Sequence, residues 1–173
     1  MAAPPVAEAE LRTVVGQVRR LLVEAVAICR EIGSQRELAV ALGRLGHVEQ
    51  DTGRVAAALA AFQEAASVAR GSGDGRLLAH AVRHVGDLHR HAGRLAEAEA
   101  CYDEALSVYG RLEAATTAPL DYANALRPMA ILKEELGQVD EARVLWRRAR
   151  DLYGAAGIEA GVAECADHLV RLG

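Results

Sequence analysis

The sequence predicts an all-α chain of about eight helices arranged as antiparallel pairs, and three observations carry that expectation. About half of the 173 residues are apolar, yet mostly Ala, Leu and Val, with one Trp, one Phe and four Tyr. That composition suits helices packed closely through small side chains better than an aromatic-rich sheet sandwich. The segment GRLGHVEQDTGRVAAALAAFQEAASVA matches RHVGDLHRHAGRLAEAEACYDEALSVY at a shift of forty residues without a gap, and RPMAILKEELGQVDEARVLWRRARDLY follows after forty-four. Self-similarity at such a period marks a stack of repeated units, each too small to bury its own apolar face. Finally, a glycine (Gly53, Gly93 or Gly137) divides each copy into two amphipathic stretches and suits a left-handed turn between helices.

The elements follow in order. Residues 1–37 form a half repeat, because LVEAVAICREIGSQR aligns with FQEAASVARGSGDGR at the same shift. No turn glycine precedes that stretch, so one long helix is expected from about Pro5 to Ile32, with Pro5 tolerated in its first turn. Three full repeats occupy residues 38–77, 78–117 and 118–157, each a helix A followed by a helix B. Four extra residues fall in the loop around LEAATTAPLD. Pro128 lies well inside the third A helix, where it removes a backbone donor and collides with the carbonyl of Asn124 at a cost of about 3 kcal/mol, so a kink or broken turn is expected. Residues 158–173 close the stack as a second half repeat, AECADHLVRLG matching AHAVRHVGDLH. Its flank of Val162, Ala166, Leu169 and Val170 is left partly covered, which points to self-association through this helix, a docked partner or a longer chain.

Small residues recur where two helices must approach: Gly46, Gly86 and Ala130 in the A helices, Ala58, Ala98 and Ala142 early in the B helices, then Ala65, Ala105 and Ala149. One large aromatic, Phe62, Tyr102 or Trp146, stands between them. With Leu42, Leu45, Val82, Val85, Leu126 and Met129 ahead of the small A-helix position, this arrangement resembles the tetratricopeptide repeat (TPR), and the resemblance covers almost the whole chain. Three features depart from that pattern. The usual Tyr three residues after the small A-helix residue is Glu49, His89 or Lys133, the terminal Pro is missing, and the period is forty rather than thirty-four. These departures are similar to the long-helix variety of kinesin light chains, Pins-type proteins and bacterial TPR regulators. The resemblance implies a right-handed superhelical stack, a TPR α-solenoid, with A helices lining a concave groove and B helices outside.

By the same resemblance the groove carries Val40, Gly43, His47, Gln50 and Asp51 from the first repeat, and His80, Arg83, Asp87, Arg90 and His91 from the second. Asn124, Arg127, Ile131, Glu134 and Glu135 follow from the third, and Glu164, Asp167 and Arg171 from the last helix. Arg83 and Arg127 share the position at which family members gripping a peptide's C-terminal carboxylate place Lys or Arg, and a guanidinium there can take a carboxylate in a forked pair. The Asn that completes such a clamp is replaced by His47, Asp87 and Ile131, so a full clamp is not expected. The plainer reading of Arg83 is an ion pair with Asp87 four residues on. Hot spots for a bound peptide or helix are expected at Arg83, Arg127, His47 and His80, with Asn124 hydrogen-bonding an extended ligand backbone.

Four of the six histidines fall in AHAVRHVGDLHRHAGR. His80, His84, Asp87 and His91 follow offsets of four, three and four, one stripe of one helix, whereas His89 points away. An i, i+4 histidine pair can chelate Zn²⁺ or Ni²⁺, with His47 on the neighbouring A helix as a third ligand, but the stripe extends over roughly 16 Å, too long for a single ion to use all four. Solvated groove histidines and an inter-repeat His89 are the plainer reading, and neither metal nor cofactor is expected. RVLWRRAR, with Arg143, Arg147, Arg148 and Arg150, reads as a solvated outer face pairing with Glu141 and Asp151. Catalysis finds no phosphate loop and no GxSxG elbow, and the Cys165, His168 pair is a spacing common by chance.

The net charge of −4 and pI near 5.9 give no bulk attraction for phosphate backbones or anionic membranes, so nucleic acid and membrane are not expected as partners. Lys133 is the only lysine. The start MAAPPVAEAEL has no basic leader region, and the longest apolar run, Val55 to Phe62, is short, so a cytoplasmic protein is expected. Cys29, Cys101 and Cys165 are odd in number and far apart, and are expected to be buried free thiols. The leading functional expectation is therefore a noncatalytic scaffold holding a peptide or helix of another protein. The alternatives are a sensor or regulatory module of a bacterial transcription or signalling system, and a metal-binding or enzymatic protein built on the histidine stripe.

Overall fold

A computed structural model of the chain describes residues 5–113 and 119–173. Among these residues there are eight α-helices and no strand: α1 (Pro5–Glu31), α2 (Gln35–Asp51), α3 (Val55–Ser72), α4 (Gly75–His91), α5 (Leu95–Glu113), α6 (Pro119–Glu135), α7 (Val139–Ala155) and α8 (Glu159–Arg171). The four-residue insertion expected in LEAATTAPLD falls largely on residues 114–118, outside the described ones. The chain forms two compact units, Met1–Leu77 and Leu78–Gly173, which divide inside α4.

In the first unit α1 packs on α2 and α2 on α3. Its core is built from Leu38, Ala39 and Leu42 of α2 and Ala58, Phe62, Ala65 and Ala69 of α3, with Val26 from α1. The contact depends on glycine: a Cβ added at Gly46 would lie 2.7 Å from the Phe62 ring. The second unit repeats the device, since a Cβ at Gly86 of α4 would lie 2.7 Å from the Tyr102 ring of α5. Its core gathers Tyr109, Tyr122, Leu126, Trp146, Tyr153 and Cys165 with the buried alanines Ala105, Ala123, Ala130, Ala142 and Ala149.

The turns between A and B helices are alike. Gly53, Gly93 and Gly137 have φ of 73°, 73° and 71°, and the next residue's N–H reaches back to the carbonyl of Glu49 (2.8 Å), His89 (3.0 Å) or Lys133 (2.8 Å). This six-to-one closure satisfies carbonyls that the helix end would leave open.

Two expectations are corrected. Helix α6 runs from Pro119 to Glu135 with Pro128 buried inside it, so of the kink or broken turn expected there the broken turn does not occur. Buried neighbours Leu126, Met129, Ala130 and Leu132 hold the segment helical by packing, and tertiary burial outweighs the local cost of the proline. Of the three thiols, all free, only Cys165 is buried; Cys29 and Cys101 are partly exposed. On α8, Val162 and Leu169 pack against the core, and Val170 remains the open apolar residue, 79% exposed.

Candidate functional site

In the second unit the A-helix side chains expected along a groove are joined to one another, and the B-helix tyrosines support them. On α4, Arg83 Nη1 donates to Asp87 Oδ2 at 3.2 Å and its Nη2 lies 2.6 Å from His84 Nε2. Tyr102 of α5 donates its hydroxyl to Asp87 Oδ1 at 2.8 Å. On α6, Arg127 grips Glu164 of α8 as a fork, Nε to both carboxylate oxygens at 2.8 Å and Nη2 to Oε1 at 2.6 Å. Asn124 accepts the Tyr153 hydroxyl at 2.8 Å. Arg90 of α4 reaches Glu135 of α6 at 2.6 Å. Glu134 of α6 takes the Trp146 indole N–H and lies 2.7 Å from His168 Nδ1 of α8.

These contacts run α4 to α6 to α8, from one A helix to the next, as repetition at a fixed register requires. Arg83, Asp87, Arg90, Asn124, Arg127 and Glu134 are thus each engaged by another side chain of this unit. His80 adjoins His84, their rings 4.6 Å apart. Arg171 is exposed at the end of α8. His47 belongs to the first unit, where its ring meets Phe62 edge-on at 5.1 Å.

The electrostatics follow from burial and pairing. Burial pushes the Asp87 carboxyl upward, but the hydrogen bond from His84, the Arg83 charge and the Tyr102 hydroxyl outweigh it and hold the group below the usual carboxylate value. Burial lowers the His84 imidazole, with Arg83 adding to the effect and Asp87 opposing it. Tyr102 is raised by burial and by the Asp87 charge, so its hydroxyl stays a donor. Arg127 is held charged chiefly by its bonds to Glu164.

The histidines of the stripe have different surroundings. His84 is buried rather than solvated, and its Nδ1 lies 3.3 Å from Asp87 Oδ2. His91 turns its Nδ1 to the Asp87 backbone carbonyl at 2.7 Å, not to the carboxylate. His89 takes the Arg94 Nε–H at 2.8 Å. Cys165 and His168 do not assemble as a nucleophile and base. Burial, with Glu164 nearby, pushes the thiol up to about 11, the reverse of what a reactive cysteine needs. The His168 ring is engaged with Glu134 and stacks on Trp146 at 4.0 Å.

The arginine-rich stretch of α7 pairs with Asp151 as expected but not with Glu141. Arg150 meets Asp151 at 3.2 Å, Arg148 lies over the Tyr122 ring at 4.5 Å, and Arg143 holds Asp140 and the Gly173 carbonyl. Glu141 turns instead to Lys133 at 2.8 Å.

Sequence reasoning missed what the departing position of each repeat does. Glu49 is 2% exposed and is held by Arg19 at 2.8 Å and by Arg54. Lys133, 7% exposed, is held by Glu99 at 2.6 Å and by Glu141. A charged residue recurring where the pattern calls for Tyr was the signal.

The fold and this face define a helical-hairpin repeat protein. Residues 37–111 match the model of the tetratricopeptide repeat family, and α-helices continue on either side. The crystal structure of BtubC (BKLC) from P. vanneervenii is similar, with a TM-score of 0.70 at 22% identity over 95% of this chain and 76% of that one. Two crystal structures from Podosopora anserina, of a protein described as a kinesin light chain of nearly identical TPR-like repeats, one of them its Q17M form, give TM-scores of 0.64 and 0.65. Their identities are 14% and 13%, over 96% of this chain and 90% of theirs. At these identities the likeness is one of fold. Among curated proteins none matches the sequence. No described helix is long and apolar enough to cross a membrane.

Proposed function

We propose that this chain is a noncatalytic protein-interaction scaffold that holds a peptide or helix of another protein against the A-helix face of its second unit. TPR arrays generally serve protein–protein interaction, which supports the class. The observation that carries the binding mode is the forked Arg127–Glu164 pair, with side chains 43% and 36% exposed. Arg127 already presents the geometry that takes a carboxylate, and a ligand's acidic group replaces Glu164 there without leaving the guanidinium unpaired. Asn124 is exposed beside it and offers amide hydrogens to a ligand backbone, while Arg83 with Asp87 sets the charge at one end and Arg171 at the other.

The test is capture from native lysate by wild type and by the exchanged pair Arg127→Glu, Glu164→Arg, which keeps the internal ion pair while reversing the charge a ligand meets. A partner retained by wild type and lost by the exchanged pair supports this reading. A partner held equally by both counts against it.

A further inference from the structure

The long first helix carries an apolar stripe that its own unit leaves open. Val15, Leu22, Val26 and Cys29 of α1 are buried or partly buried on the side that packs on α2. Beside them Leu11, Val14, Val18, Leu21, Ala25 and Ile28 follow offsets of three, four, three, four and three, and Ile32 continues the series just past the helix end. All but Ala25 are exposed, Leu21 by 65% and Ile32 by 68%. Scattered surface leucines are ordinary; three heptads in strict a/d register are the seam of a coiled coil without its second helix.

The flanks say what that second helix is like. The position bordering the seam on the side away from α2 is filled, heptad by heptad, by Glu10, Gln17, Glu24 and Glu31, all exposed. Among the described residues none of these glutamates is ion-paired. Such a row repels an anionic lipid surface, so the stripe is not built to lie on one. It also disfavours a second copy. Antiparallel pairing sets Glu10 against Glu31 and Gln17 against Glu24, while parallel pairing points the row at Val15, Leu22 and Cys29, uncharged side chains that offer the carboxylates no partner. At one end the stripe opens into a cleft of about 460 Å³ bordered by Leu11, Val15, Arg12, Arg19, Asp51 and Arg54.

We infer that the exposed heptad face of α1 is a docking surface for an amphipathic helix of another protein, one with an apolar heptad seam flanked on one side by Lys or Arg. This surface lies in the first unit and is independent of the A-helix face proposed above, so either can fail without the other. The seam supplies the burial and the glutamate row selects the partner's charge and register.

The test uses the full chain and two synthetic helical peptides with the same three-heptad apolar seam, one flanked by Arg and Lys and the other by Glu, read by fluorescence anisotropy. Light scattering of the chain alone runs beside it. The basic-flanked peptide is expected to bind at least tenfold more tightly than the acidic-flanked one. Glu24→Arg with Glu31→Arg reverses that preference, and Leu21→Glu loses binding of both with helical content and melting temperature unchanged. Equal affinity for the two peptides, binding of neither, or a stable dimer that Leu21→Glu splits would each overturn the inference, the last by making a second copy the occupant.

Discussion

The buried ammonium of Lys133 and the carboxylate of Glu99, 2.6 Å apart, repeat with charges exchanged the contact that Arg19 makes with Glu49, 2.8 Å away. Glu99 follows Arg19 by two repeats along the B helices, and Lys133 follows Glu49 by two repeats along the A helices. What the fold keeps at this place is an ion pair between a B helix and the next A helix, with either sign on either side. Hydrogen bonding to Glu141 and Glu99 holds Lys133 charged, raising it above the ordinary lysine value. The bonds from Arg54 and Arg19 outweigh burial and hold Glu49 below the ordinary carboxylate value.

Exchanging the pair should therefore be tolerated where breaking it is not. Lys133→Glu sets three carboxylates together and is expected to destabilise by about 2 kcal/mol, the scale of losing charged hydrogen bonds. Adding Glu99→Arg should restore more than half of that loss by recreating the Arg19–Glu49 arrangement. A double-mutant cycle in urea gives the coupling directly, and a coupling near zero would mean that the pair is incidental.

The repeated hairpins were legible because their signals are local and periodic: the glycine of each turn, the small residue at Gly46 or Gly86, and the aromatic sixteen residues on. The polar face was legible only as a list of positions, because what occupies a guanidinium depends on a partner far along the chain, Glu164 for Arg127. The ion pairs of Glu49 with Arg19 and of Lys133 with Glu99 were hidden for the same reason, Arg19 and Glu99 lying on the preceding B helix some thirty residues away. Pro128 misled because its local cost is visible in sequence and the packing that meets it is not.

Two glycines of one helix should respond in opposite directions. At Gly46 a Cβ meets the Phe62 ring at 2.7 Å, whereas at Gly43 it meets nothing within 4 Å. Gly46→Ala is expected to cost about 1–3 kcal/mol by overpacking, and Gly43→Ala to gain up to about 1 kcal/mol through helix propensity. Denaturation midpoints of the two variants check this, and equal signs would refute the close approach of α2 and α3.

Acid should weaken the second unit in two stages. His84 in the folded chain lies below its ordinary value of 6.5, so as pH falls through 6.5 the unfolded chain takes up a proton that the folded one refuses, and stability drops until the folded value is reached. Asp87 is also held below its ordinary value, 3.8. Its contribution is complete above that value and is lost as pH falls through the lower folded one. Each group gives a slope of at most about 1.4 kcal/mol per pH unit. Melting temperature followed against pH should show the upper stage in wild type and lose it in His84→Gln, while Asp87→Asn removes the lower stage.

Trp146 provides an internal reporter for the last contact, being the chain's single tryptophan and fully buried. Its indole N–H donates to Glu134, which also meets His168 at 2.7 Å, and the His168 ring stacks on the indole. Glu134→Ala removes the acceptor from a buried donor, a loss of about 1–3 kcal/mol, and frees the imidazole from its carboxylate. Glu134→Gln keeps an amide oxygen for the indole and should lose less than half as much. Tryptophan emission through a urea titration reads both stability and environment in one experiment: the Ala variant should unfold at lower urea with a changed native spectrum, and the Gln variant should stay close to wild type. If Ala and Gln behave alike, the hydrogen bond contributes nothing beyond the packing of Trp146 against α8.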